Sequence, residues 1–373
     1  MKLFGCVGGS GTKTEARGLN RAVQSVRQTG SAGKPISVIA PAIDKKIIMT
    51  TSKIVDEQIT FDDGTEDGYT PSDYNKYRGE ITIRQAVESS QNIPFVKIME
   101  MLTPKESIRY MKKMGITTLT DVDENLNLAL GGLDKGISPL EMAAAYNTIA
   151  NGGVYIEPTF YKKVENSNKK VILKPSQKRR RVYSKEVAYI VTSLLREPVY
   201  GKSGTATYCR IKGIDVAAKT GTTNDEYDRW LCGYTPYYTA VTWFGFDQNE
   251  TIRFNGKNPS GQIWSSVMSN IHSKLENKSF EKPKSVVERQ ICRETGLLAR
   301  TGCKDLYTDY YLSGNLPTVY CSKHSGNPLE GTIDTDSSST SLLENIVDNV
   351  KESLESETQN YIYKESTDET FEQ

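Results

Sequence analysis

Three short stretches of this chain carry side chains suited to serine acyl transfer. Ser31 precedes Lys34 by one helical turn, so a hydroxyl and an amine share a helix face. A serine hydroxyl is too weak an acid to ionise unaided and needs a nearby base. Lys34 is the nearest candidate, provided its amine is neutral. Ser90-x-Asn92 adds a second hydroxyl and an amide, and Lys219-Thr220-Gly221-Thr222 follows the apolar run Val216-Ala217-Ala218. On a strand, Lys219 and Gly221 share one face while Thr220 and Thr222 share the other. A strand glycine lets another backbone or a ligand come close. An extended peptide could pair along such an edge, with Lys219 and the Thr hydroxyls meeting an anionic group. Each stretch alone occurs by chance. Their joint occurrence, each at a helix or strand end, is specific.

These groups must be held by particular elements. Pro35 is tolerated only near a helix start, so residues 36–39 are expected to continue a buried helix that Pro41 disturbs. Thr82 and Gln85 have capping-box spacing and predict a helix over 83–89, ending at Ser90-Gln91-Asn92. Pro94 opens the next helix, 95–101. Thr103-Pro104-Lys105-Glu106 is another cap, and Gly115 closes the helix that it starts. Ser138-Pro139-Leu140-Glu141 combines an N-cap, an N1 proline and an N3 glutamate. Its helix stops at Asn151-Gly152-Gly153. Ser184 begins a helix through Leu195, and 262–275 reads as a closing helix. Residues 238–246 alternate and read as the hairpin partner of the Lys219 strand. Residues 2–7 read as a strand, 154–156 and 169–173 as strand-like, 54–80 as loop, and the basic run 178–181 as a solvated loop.

The bulk numbers exclude little. At 373 residues the chain can hold one large domain or two. Its net charge of +1 gives no pointer to nucleic acid. From Pro328 onward there are twelve Asp/Glu against two Lys, a net of −10 that leaves about +11 on the rest. Such a tail, 328–373, is expected to be disordered, with helical spacing among Leu342, Ile346, Val350 and Leu354. Two histidines, His272 and His324, read as ordinary surface or half-buried side chains rather than catalysts. No run of about 18 apolar residues occurs, and the first residues lack a signal peptide's basic and apolar regions. Residues 283–327 form a small Cys-containing region with Cys292-x10-Cys303-x17-Cys321-x2-His324. A disulfide is the first reading outside a cell, with free thiols equally weighted; zinc binding by the three Cys and His324 is a third reading, whose spacing lacks the usual close Cys pair.

Beyond the triplets, several segments resemble class A penicillin-binding proteins. They are Arg27-Gln28-Thr29-Gly30-Ser31-Ala32-Gly33-Lys34-Pro35, Leu130-Gly131-Gly132-Leu133, Gly136-Ile137-Ser138-Pro139-Leu140-Glu141-Met142-Ala143, Ala150-Asn151-Gly152-Gly153-Val154-Tyr155 and Lys219-Thr220-Gly221-Thr222-Thr223-Asn224. The resemblance is to the transpeptidase domain, over residues 1–275. It implies an α+β fold of the penicillin-binding protein and serine β-lactamase type. That fold is an antiparallel sheet flanked by helices, plus an all-helical lobe carrying Ser90-Gln91-Asn92.

The resemblance also implies peptidoglycan stem peptides ending in D-alanyl-D-alanine as partners, and β-lactams as acylating ligands. Ser31 attacks the penultimate carbonyl. Desolvation and cationic Lys219 lower the pKa of Lys34 so that it serves as base. Ser90 relays a proton to the departing amine, and Asn92 donates to the substrate amide. Thr220 and Thr222 bind the terminal carboxylate beside Lys219 and Gly221. The N–H groups of Ser31 and Thr222 form the oxyanion hole. No cofactor, metal or nucleic acid is implied. A place on the extracytoplasmic face of the bacterial membrane is, through an anchor outside this sequence.

The sequence departs from the family pattern twice. Gly33 stands where a larger apolar residue is usual, so a looser turn is expected. A membrane anchor, a glycosyltransferase domain and a first sheet strand are expected before residue 2, so the chain reads as the C-terminal part of a bifunctional enzyme and is expected to be poorly stable. Two alternatives stand beside cross-linking. One is a D,D-carboxypeptidase or β-lactamase-like hydrolase, the other a non-catalytic stem-peptide-binding fragment.

Overall fold

The structure, a computed structural model, describes residues 3–9, 18–62, 64–74 and 76–329. Met1–Pro328 is one unit. Apart from its first residues, the acidic tail, with the helical spacing expected in it, lies outside the described residues.

Helices begin where the capping signals sit. In α1 (Ile83–Ser89) Thr82 and Gln85 close a reciprocal capping box, and α2 (Ile93–Leu102) follows directly. The Thr103 side chain caps α3 (Pro104–Lys113). Ser138 and Glu141 form a second capping box on α4 (Pro139–Ala150). Ser184 caps α5 (Lys185–Leu195). The last, α6 (Pro259–His272), starts three residues before the expected 262 because Asn258 caps it and Pro259 occupies its first turn. No helix among the described residues is long and apolar enough to cross a membrane.

The buried segment after Ser31 changes winding instead of forming one regular helix. A 3₁₀ turn, Gly30–Ala32, leads into a π-helical turn, Pro35–Ile39, and then a short α-helical piece, Ala40–Asp44. Pro41 has no N–H to give an i→i−4 ladder. The Ala40 N–H instead reaches Pro35 O, so the proline alters the pitch without breaking the helix.

Short antiparallel pairs lie around the helices. β1 (Lys53–Asp56) pairs with β2 (Gly79–Thr82), β3 (Val154–Ile156) with β6 (Arg179–Arg181), and β4 (Val164–Glu165) with β5 (Val171–Leu173). The basic run read as loop is therefore a strand. Arg180 explains this: it lies over the Tyr155 ring and donates to the carbonyls of Lys112 and Lys113 at the end of α3.

The main sheet is β7 (Ala217–Thr222), β8 (Asp228–Tyr234) and β9 (Thr239–Gly245), in that order. Residues 238–246 do form a strand, but it pairs with β8 and not with the Lys219 strand. Every residue of β8 is buried. Trp230, Cys232 and Tyr234 join one core with Ile36, Phe95 and Tyr146. Leu231 joins the other, with Ala218, Trp264 and Met268 under α6. Each such large apolar side chain contributes about 1.5–3 kcal/mol on burial. Residues 3–9, expected to hold a strand, make none; Phe4 packs edge-on against Tyr238 and Leu3 N–H donates to Thr159 O.

A last pair, β10 (Val287–Cys292) and β11 (Leu306–Tyr311), lies in the Cys-containing region. Arg84, in the first turn of α1, forms a buried ion pair with Asp309 on β11 and a second with Glu197 at 2.7 Å. Its guanidinium also donates to Ser193 O. The Cys-containing region is thus fastened to the helix that ends at Ser90.

Candidate active site

The turn carrying Ser31 is held by the segments that the family resemblance singled out. Thr29 N–H donates to Gly131 O at 3.2 Å, and Gln28 Nε2 donates to Leu133 O at 3.1 Å. Arg27 forms a bridge with Ile137. Buried Tyr146 donates its hydroxyl to Ala32 O at 2.7 Å, and Trp230 Nε1 donates to Gln28 O at 2.9 Å. Gly33 is not a loose point: its N–H donates to Gly30 O and its carbonyl accepts from Ile36 and Ser37. A Cβ there would lie 2.7 Å from Thr29 Oγ1. Ser31 itself is half-buried, and its hydroxyl has no hydrogen-bond partner among the described residues.

Lys34 is fully buried and reaches the loop after α1. Its Nζ donates to Ser90 O at 3.0 Å, Gln91 O at 2.7 Å and Asn92 Oδ1 at 2.7 Å. A charged amine cannot accept, which fixes Oδ1 as the atom of Asn92 that faces it. Burial, and then the charge of Lys219, hold the Lys34 amine well below its usual range, while Asp73 and Asp56 oppose them. Ser90 adopts the left-handed conformation, φ 62°, as the C-cap of α1. That turn aims its carbonyl at Lys34 and its hydroxyl at Lys219.

Lys219 Nζ donates to Ser90 Oγ at 2.7 Å. It is also fully buried, and burial lowers its pKa to about 7. The Lys219 strand presses on the Ser31 turn: a Cβ on Gly221 would lie 2.4 Å from Thr29 O and 2.8 Å from Ala32 Cβ. Gly30, at φ +51°, sits against the Thr222 backbone, where a Cβ would fall 2.2 Å from Thr222 O. Thr223 N–H donates to Asp228 O across β8, so the N–H of Thr222 points away from β8, toward that turn. On the other face, Thr220 Oγ1 lies 2.8 Å from Thr205 Oγ1, and Thr222 Oγ1 accepts from Arg229 at 3.0 Å.

The structure brings Lys34, Ser90, Asn92 and Lys219 into contact and packs the Lys219 strand on the Ser31 turn, while one expected contact differs. Asn92 was expected to donate to a substrate amide, yet its Nδ2 donates to Ser72 O at 2.6 Å and its N–H to Asp73. Asn92 is occupied in tying Lys34 to residues 72–73.

Sequence reasoning passed over several neighbours. Asp73 meets Asp56 beside this loop; burial first, and then Asp56, raise its carboxyl to about 7. Asp56, fully buried, accepts from Gln91 Nε2 and Arg78 N–H, but Asp56 Oδ1 and Asp73 Oδ2 have no donor among the described residues. A proton on Asp73, whose carboxyl is raised, would give Asp56 the donor it lacks. Arg229, on β8 opposite Thr222, pairs with Glu226 at 2.9 Å. Its buried Nε has no partner among the described residues. A cavity of about 540 Å³ is lined by Tyr74, Glu226, Arg229, Ile252, Phe254 and Asn255. No signal marked these residues, because each lies on a loop or a strand without a motif of its own.

Residues 9–269 match the family described as "Penicillin binding protein transpeptidase domain", and residues 282–326 match "Penicillin-binding protein 1A, C-terminal domain". Penicillin-binding protein 1A of Clostridium tetani is 33% identical over 342 residues, which cover 86% of this chain and 43% of the relative. Penicillin-binding protein 1F of Bacillus subtilis is 35% identical over 284 residues, covering 73% of this chain and 38% of the relative. The chain therefore spans less than half the length of these curated relatives. Among solved structures, penicillin-binding protein 1A from Haemophilus influenzae superposes with a TM-score of 0.71 at 24% identity, covering 81% of this chain and 50% of its own. PonA1 from Mycobacterium tuberculosis gives 0.63 at 25% identity, covering 72% and 74%. With the expected α+β fold present and both family matches in register with it, the chain belongs to the penicillin-binding protein transpeptidase family.

Proposed function

We propose that this chain is the D,D-transpeptidase unit of a peptidoglycan synthase and a target of β-lactams. The observation that carries the reading is the contact of Lys219 Nζ with Ser90 Oγ at 2.7 Å, beside a buried Lys34 held by the same three-residue loop. Residues of three motifs, up to 188 positions apart in sequence, touch through Lys34, Ser90 and Lys219, and the hydroxyl of Ser31, one turn before Lys34, has no partner among the described residues.

The chemistry follows from the donors and acceptors. Lys34, once it has lost a proton and with it one of the three hydrogen bonds it donates, takes the Ser31 proton as Oγ bonds to the penultimate D-alanine carbonyl carbon. The oxyanion forms against the N–H groups of Ser31 and Thr222, each worth about 3 kcal/mol in comparable hydrolases. Ser90 Oγ already accepts from Lys219, so as it gives its own hydrogen to the departing amine nitrogen it takes one from the Lys219 ammonium. Collapse of the tetrahedral intermediate releases D-alanine and leaves the acyl group on Ser31. An amine from a second stem peptide then attacks this ester; the cross-linking C–N bond forms, the acyl C–Oγ bond breaks, and the amine's proton returns to Ser31 Oγ. The Thr222 hydroxyl, fixed as an acceptor by Arg229, offers its hydrogen to the terminal carboxylate, with Thr220 and the positive potential of Lys219 alongside. Asn92 acts by orienting Lys34; a substrate contact from its Nδ2 requires release of Ser72 O.

The transpeptidase unit is taken to cover residues 1–275 and the Cys-containing region residues 283–327. Extracytoplasmic placement follows from the substrate, which lies in the cell wall. Two measurements on a pentapeptide substrate test the reading. Fluorescent penicillin should label the chain, and an added amine acceptor should divert the acyl group from hydrolysis to a cross-linked product. D-alanine release with water as the only acceptor would make the chain a carboxypeptidase, and no labelling with no release would make it a binding module.

A further inference from the structure

Cys292, Cys303, Cys321 and His324 converge although 32 residues separate the first from the last. Their donor atoms all lie within 4.8 Å of one another. Nδ1 of His324 stands 3.5 Å from Cys292 Sγ and 3.3 Å from Cys321 Sγ. The three cysteines are buried, and none is joined in a disulfide. Zinc bonds of about 2.3 Å to sulfur and about 2.0–2.1 Å to nitrogen demand tetrahedral edges of about 3.5 Å between S and N and about 3.8 Å between S and S. Two of the S–N separations match those edges and the remaining donor atoms lie within 4.8 Å, so three thiols and one imidazole nitrogen have the chemistry and about the size of that tetrahedron. We propose that these four side chains bind one Zn²⁺ in a closed Cys₃His structural site.

The backbone holds each ligand in place. Cys292 ends β10, and its N–H donates to Leu297 O at 2.8 Å. Cys321 N–H donates to Leu298 O at 2.8 Å, and Cys303 N–H donates to Arg300 O at 3.0 Å. An outer layer is also present. His324 Nε2, the ring nitrogen not facing the sulfurs, lies 3.8 Å from Glu294 Oε1. That carboxylate is in turn paired with Lys323 at 2.6 Å. The Arg300 N–H donates to Cys303 Sγ at 3.3 Å, and its guanidinium donates to Cys321 O at 3.0 Å. A carboxylate behind the imidazole and N–H donors on a sulfur are the supports that ligating groups generally carry.

Binding releases up to three thiol protons and leaves neutral His324 as a nitrogen donor. The resulting Zn²⁺ with three thiolates carries a net charge of −1, which the nearby Arg300 and Lys323 offset. Four protein ligands leave no open position for a substrate, so the site's work is structural. It closes the region whose β11 carries Asp309, the buried partner of Arg84 in the helix ending at Ser90.

The purified full chain, prepared with zinc present, tests this by metal analysis and intact mass under non-reducing conditions. One zinc per chain and six unoxidised thiols, three of them in the site, are expected. After chelation, Co²⁺ should give a thiolate-to-cobalt charge-transfer band and the strong visible bands of a tetrahedral site. Glu294→Gln, which keeps all four ligands, should lower zinc affinity about 10- to 100-fold. A mass lower by two hydrogens, with peptide mapping placing the disulfide on Cys292, Cys303 or Cys321, would overturn the proposal. So would a reduced chain that takes up neither zinc nor cobalt, and so would cobalt spectra unchanged in both Cys303→Ser and His324→Ala.

Discussion

Asp73→Asn removes one carboxylate from the buried pair beside Asn92 while keeping its shape. The amide oxygen can still accept the Asn92 N–H, and the amide nitrogen supplies a donor to Asp56 Oδ1, which has none among the described residues. The Asp73 carboxyl is raised from 3.8 to about 7 in the folded chain, by burial first and then by Asp56. Between those two values the folded state holds a proton that the unfolded state has lost. Stability therefore falls as pH rises through that window; the penalty is absent below it and complete above about 7. The full shift corresponds to about 4 kcal/mol. The side chain is only half-buried, and solvent screening reduces the figure to about 2 kcal/mol. For a unit of this size that is about 3 °C in Tm. Thermal melts of both chains should nearly coincide at about pH 4 and separate by about 3 °C, with the variant higher, at about pH 8. A variant that melts lower at the alkaline end, or a gap of the same size at both ends, would refute the shared-proton reading.

Other substitutions probe the site and its supports. Lys34→Ala should slow penicillin acylation about 10²- to 10⁴-fold at every pH, the usual worth of a positioned base. Lys219→Ala should slow it less while weakening carboxylate recognition; equal, mild losses in stopped-flow acylation would argue against both roles. Gly221→Ala places a methyl 2.4 Å from Thr29 O and should displace the Ser31 turn, lowering the acylation rate about 10²-fold; an unchanged rate would contradict the packing described. Arg84→Met strands buried Asp309 and should cost about 3–5 kcal/mol in urea unfolding, most of it recovered in the double variant with Asp309→Leu.

What could be read in advance follows from how local each signal is. Capping boxes at Thr82–Gln85 and Ser138–Glu141 depend on residues three apart, and both formed as expected. The motif residues singled out the candidate site because acyl transfer would need a hydroxyl, an amine and a carboxylate-binding edge. The central strand Asp228–Tyr234 was missed because both its faces are buried, which erases the two-residue alternation that marks a strand. The strand Arg179–Arg181 was hidden by its charge; its pairing with Val154–Ile156 and the carbonyls at the end of α3 are tertiary facts. The expected strand over residues 2–7 failed for the converse reason, since apolar content alone provides no partner edge. Asp56 and Asp73 stand 17 positions apart, and the spacing of Cys292, Cys303, Cys321 and His324, without a close Cys pair, left zinc as one of three readings although His324 faces two sulfurs. No spacing rule joins groups that only the folded chain brings together.

Ser31 is the group on which the whole account depends. The direct test is mass spectrometry of the chain after reaction with benzylpenicillin, intact and then as peptides. The account predicts one covalent adduct per chain, carried by the peptide containing Ser31 and absent from Ser31→Ala. An adduct on another residue, or one that survives Ser31→Ala, would contradict it.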